Sequence, residues 1–106
     1  MFQKKNKSNN IEIKTASKDK YFFKLFVSTN SILATKSIIN IKSFLEQYLK
    51  GRYELEIIDI FQNPEILIKE EIITVPLLIK ESPLPKIRIV GEMTDTEKIK
   101  RELLIY

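Results

Sequence analysis

The sequence contains no cysteine and no histidine. Their absence removes disulfides, thiol nucleophiles, dithiol redox chemistry, the usual zinc ligands and the commonest general base, so most enzyme classes lose the side chains they need. Long apolar runs are missing as well. None reaches the roughly 18 residues that a membrane-spanning helix requires, and the N-terminus has no continuous apolar stretch of signal-peptide type. The cytoplasm is therefore the expected compartment, and no membrane partner is expected. What is present is a chain of 106 residues, 43% of them apolar, enough for one core and too short for two.

The net charge of +4 is confined to one end. Residues 1–20 hold six lysines against Glu12 and Asp19, and the other 86 residues carry twelve basic and twelve acidic groups. The segment "MFQKKNKSNNIEIKTASKDK" is too poor in apolar groups to order itself, and it reads as a polar, solvated tail preceding a domain over 21–106. No interleaving of aromatic and basic residues follows it, so a nucleic-acid partner is not expected. Paired carboxylates give no active site either. Glu70 and Glu71 are adjacent and would point about 100° apart on a helix. Glu54 and Glu56 share a strand face and read as an exposed acidic surface, and Asp59 is placed to cap a turn. No metal site and no cofactor are expected.

From Tyr21 the apolar pattern becomes regular. "YFFKLFV" has apolar residues on both alternating faces, as a central strand does. "STNS" offers N-caps, and Ile38, Ile41, Leu45, Tyr48 and Leu49 then follow helical spacing up to Lys50-Gly51, predicting a helix over 32–49. "YELEIIDIF" returns to strand period, so a right-handed βαβ unit with parallel strands is expected. In "QNPEILIKEEI" Asn63 can cap a short helix with Pro64 at its first position. Pro76 then interrupts "IITVPLLI". Proline gives the sheet no donor, so Pro76 marks a corner with strand beginning at or after it. Strands near 76–80 and 86–90, joined by the Pro-rich turn "ESPLP", read as an antiparallel hairpin. In "TDTEKIKRELLIY" Thr94 and Glu97 form a capping box, and acids precede bases, which predicts a final helix.

The resulting order, βαβαββα with proline just before the third strand, resembles the thioredoxin fold, an α/β architecture with a mixed four-stranded sheet. That fold has a cis-proline at this place. Where redox members carry Cys-x-x-Cys, this chain reads "STNSILAT". Within that superfamily the chain is similar to the KaiB family from about Tyr21 onward. The similarity rests on "KLFV", "KGRYELEIIDI", Asn63-Pro64 with Pro76 twelve residues on, "PLLIK", and "IRIVGEMTDTEKI".

The resemblance implies a non-catalytic module whose partner is a KaiC-type hexameric ATPase. It also implies two accessible folds: the thioredoxin-like one and a tetrameric ground state ordered βαββααβ. At positions tied to the fold or its switching stand Pro76, Gly91, Glu102 and Leu104. Glu102 and Leu104 replace the Gly and Asp of the family's Gly-Leu-Asp-Leu, and exchanging Gly for Glu in a helix favours helix by up to about 1 kcal/mol. The expected resting state is therefore thioredoxin-like, with Pro76 in cis and a monomer or dimer favoured over a tetramer. By residue match Lys36, Lys80 and Arg88 keep basic charge where the family uses it at the ATPase interface, although most such residues in any protein are simply solvated. The family's A-G-x-T-P loop is replaced by "STNSI", its Arg-Arg by Ile87-Arg88, and its acidic C-terminal tail is absent. These departures favour a non-clock role, such as stress response, over oscillation. The alternative is a thioredoxin-like sensor module of a signalling system, without redox activity.

Overall fold

The structure is a computed structural model that describes residues 20–105. The expected solvated tail, apart from Lys20, lies outside the described residues. Seven elements follow in the expected order: β1 (Tyr21–Val27), α1 (Ile32–Leu49), β2 (Tyr53–Asp59), α2 (Glu65–Lys69), β3 (Leu77–Ser82), β4 (Ile87–Val90) and α3 (Thr96–Glu102). The sheet order is β2-β1-β3-β4, with β1 and β2 parallel and the other pairs antiparallel. This is the mixed four-stranded α/β arrangement that the βαβ unit and the hairpin together require.

Helix α1 forms where its local signals put it. The Ser31 hydroxyl accepts the Leu33 N–H at 3.0 Å, and Gly51 takes the left-handed conformation just past the end at φ +76°. Its apolar stripe of Ile41, Phe44, Leu45 and Leu49 is buried against Phe23 and Leu25 of β1, Leu78 of β3 and Ile89 of β4. Ile99 and Leu103 of the last helical segment close the same core. Each such side chain contributes about 1.5–3 kcal/mol on burial. The other face of the sheet has a smaller core, where Phe26, Leu77 and Ile79 lie with Ile72 and are flanked by Ile66 and Leu67 of α2.

Three local expectations are corrected. Asn63 does not cap α2: Pro64 holds the cap position without a side-chain bond, and the Asn63 amide donates to the Asp59 carbonyl at 3.2 Å. That bond, made from Nδ2, fixes the orientation of the amide, and its Oδ1 accepts no helix N–H. Thr94 does not cap α3; Asp95 accepts the Lys98 N–H at 3.0 Å. Met93, buried at φ +62°, carries the chain inward and delays the helix by one residue. The helix also stops at Glu102, so Leu104 is not helical. The Leu104 N–H donates to the Arg101 carbonyl and the Ile105 N–H to the Lys100 carbonyl, a Schellman end with Leu104 at φ +60°.

Among the described residues, no helix is long and apolar enough to cross a membrane.

Candidate interaction surface

The loop after β1 occupies the place of a redox dithiol and is built from hydroxyl and amide groups. The Ser28 hydroxyl donates to Asn30 Oδ1 at 2.7 Å, the Thr29 hydroxyl donates to Asp59 Oδ2 at 2.7 Å, and Ser31 is engaged as the α1 cap. The Thr29 hydroxyl, followed by the Phe61 N–H, holds the Asp59 carboxyl below its usual range. These bonds stabilise a loop and arm no nucleophile.

The Pro76 corner faces the start of the 91–95 loop. The Val75–Pro76 bond is cis, as are Ser82–Pro83 and Leu84–Pro85, and the Pro76 carbonyl accepts the Gly91 N–H at 3.1 Å. Gly91 sits at φ +122°, a conformation that L side chains rarely adopt, so glycine is needed there for the turn.

The three basic candidates do not share a face. In the hairpin register Lys80 pairs with Ile87 and Arg88 with Ile79. Lys80 follows Leu78 onto the larger core and is only 2% exposed, which corrects the expectation of an accessible contact. Its Nζ lies 3.5 Å from the Leu103 carbonyl and 5.8 Å from the centroid of the Tyr21 ring, and burial pushes its pKa down from 10.5. Arg88 points the other way and is exposed, donating from Nη1 to the Glu70 carbonyl at 2.9 Å and from Nη2 to the Glu71 carbonyl at 3.0 Å. Each cation thus neutralises the carbonyl end of a helix, α3 for Lys80 and α2 for Arg88. Lys36 is exposed on α1 between Ile32 (76% exposed) and Ile39 (61%), one face at helical spacing. Glu102 is exposed and stands 4.0 Å from Lys98 one turn earlier.

Beside Arg88 lies a shallow cleft of about 380 Å³ lined by Glu71, Ile73, Thr74, Leu77 and Val90. Ile73 is 97% exposed and Val90 54%. These apolar groups were missed in the sequence, although Val90 alternates with Arg88 on one strand face, which was a readable signal. An apolar rim around an arginine suits protein docking rather than catalysis.

Three comparisons bear on this surface. The family model for the KaiB domain matches residues 24–105. The circadian clock oscillator protein KaiB of Synechococcus elongatus is 35% identical over 79 residues, covering 74% of this chain and 78% of that protein. Among solved structures, the N-terminal domain of SasA from Synechococcus elongatus superposes with a TM-score of 0.68 at 20% identity, over 81% of this chain and 85% of that one. The germline-specific thioredoxin Deadhead of Drosophila melanogaster gives 0.64 at 16% identity, over 85% of this chain and 84% of the other. At these identities the two structural likenesses establish the fold, which is thioredoxin-like.

Proposed function

Because the chain belongs to the KaiB family, we propose that it is a non-catalytic docking module that binds a KaiC-type hexameric ATPase and modulates it, for timing or for stress response. The observation that carries this reading is the family match across residues 24–105 on a thioredoxin-like fold whose dithiol place holds Ser28 to Ser31. Such a module needs no cofactor. It works in the cytoplasm, as a monomer or dimer when free.

Two exposed sets of residues have the chemistry for the contact. One is Ile73 and Val90 around Arg88; the other is Lys36 between Ile32 and Ile39. Lys80, being buried, acts through the fold.

Calorimetric titration with the cognate KaiC-type ATPase, in ATP and separately in ADP, tests the reading. Association in at least one nucleotide state is expected, and Lys36→Glu weakens it by about tenfold through lost charge complementarity. No association in either state contradicts the proposal. The alternative, a sensor module without redox activity, predicts binding to a signalling kinase instead.

A further inference from the structure

The smaller-core face of the sheet is covered over only half its length. At the covered end, Phe26, Ile58, Leu77 and Ile79 pack with α2 and Ile72. At the other end the same face opens into a groove of about 330 Å³ whose lining includes Phe22, Lys24, Glu54, Glu56 and Glu81.

This half-face has three unmet requirements. Phe22 is 41% exposed within the groove. Glu81 has one carboxylate oxygen, Oε2, withdrawn from solvent with no hydrogen-bond donor. Lys24 Nζ is 4.0 Å from it, beyond hydrogen-bond distance, and Lys86 Nζ lies 3.6 Å from the other oxygen. A buried oxygen without a donor is destabilising, so the site calls for a further cation or N–H. Glu56 makes no ion pair among the described residues.

We propose that the occupant is the chain's own N-terminal segment, with Ile11 and Ile13 seated on Phe22 and the lysines that flank them supplying positive charge to the Glu56 and Glu81 carboxylates. The segment joins the fold at the rim of the groove, where Lys20 Nζ holds Glu54 Oε2 at 3.0 Å. Its charge is complementary: residues 1–19 carry five lysines against Glu12 and Asp19. Ile11 and Ile13, two apart, fall on one side of an extended chain, with Glu12 on the opposite side. The six Cα–Cα steps from Lys14 to Lys20 reach up to about 20 Å, enough for a reversal and return across Phe22. The segment is too poor in apolar groups to build a core, and the groove provides one side of a core in advance.

The chain contains no tryptophan, so Phe22→Trp makes the groove report its own cover. In the full chain carrying that reporter, adding Ile11→Ser with Ile13→Ser moves the emission to longer wavelength and raises acrylamide quenching about twofold or more, as expected when an apolar patch is uncovered. Lys14→Glu acts in the same direction, and raised salt weakens the protection. Far-UV circular dichroism stays unchanged, since the substitutions lie outside the described fold. Emission and quenching indifferent to all three substitutions overturn the proposal. A protection that grows with protein concentration also overturns it and assigns the groove to a second copy. The unsubstituted protein provides an independent reading: NOEs between the Ile13 methyls and the Phe22 ring are expected, and their absence from a complete assignment contradicts the docking.

Discussion

Helix α1 ends on Gly51 at φ +76°, whereas α2 and α3 end on Glu71 at φ +54° and Leu104 at φ +60°. In the first half of the chain the residue at each special position is the one that its local geometry favours: Ser31 caps, Gly51 reverses. In the second half the same left-handed position is filled by side chains, at a cost of about 1–2 kcal/mol each. Both ends nevertheless make the full Schellman pair of hydrogen bonds, with Glu71 and Ile72 N–H groups returning to the Ile68 and Leu67 carbonyls in α2. What holds them is tertiary. Arg88 of β4 binds the carbonyls at the end of α2, and Lys80 of β3 reaches the end of α3. Each of the two helices of the second half is thus tied to the hairpin through its own cation.

The largest effect expected from a single substitution lies in the first half. Phe44, 1% exposed, anchors α1, and Phe44→Ala lowers global stability by about 3–5 kcal/mol in urea unfolding. Arg88→Ala acts differently. It removes two charged donors from exposed carbonyls and costs about 1–2 kcal/mol, and hydrogen exchange locates the loss in residues 65–72 while α1 stays protected. Equal loosening of α1 and α2 would break the comparison between the halves.

The glycine exchanges sharpen that comparison because their signs oppose. Leu104→Gly and Glu71→Gly each raise stability by about 0.5–1 kcal/mol by relieving strain, although added chain entropy offsets part of the gain. Gly51→Ala lowers it by about 1 kcal/mol, and strain alone is responsible, since a Cβ there meets nothing within 4 Å. Thermal unfolding of the three variants reads this directly, and a common sign for all of them contradicts it.

The smallest effects are in pH dependence. Burial lowers the folded pKa of Lys80 below 10.5, so in the window between that lowered value and 10.5 the unfolded chain binds more protons. Stability contributed by this group therefore rises with pH through that window, and Lys80→Met removes the rise. Tyr53, raised above 10.0 chiefly by its bond to Glu46, acts in the opposite sense at high pH, so the difference between the two proteins is the quantity to measure. Asp59 is lowered from 3.8, chiefly by the Thr29 hydroxyl. Its contribution is present above the unfolded value and is lost as pH falls through the folded one. Thr29→Val should reduce that acid-side loss.

The same contrast explains what could be read from the sequence. The bounds of α1 were legible because Ser31, an apolar stripe and Gly51 agree on them. The ends of α2 and α3 were not, because Glu71 and Leu104 carry no sign of a left-handed turn and the cations that hold those turns come from other strands. The Pro76 corner was legible from proline chemistry, and its cis bond was expected from the fold resemblance. Lys80 was visible as a basic residue but not as a buried one, although its alternation with Leu78 in "LLIK" placed both on one face. Arg88 was likewise named for a partner, while its bonds to Glu70 and Glu71 depend on packing between elements. The exposed acidic face of Glu54 and Glu56 was legible from alternation alone, whereas the orphaned oxygen of Glu81 beside it was not.

Backbone NMR of the free, full-length protein tests most directly that the second half rests in the thioredoxin-like arrangement. Secondary chemical shifts are predicted to show strands at 77–82 and 87–90 and a helix at 96–102, with Leu104 in the left-handed region. A free protein with helix across 77–90 and strand across 99–105 would contradict the account.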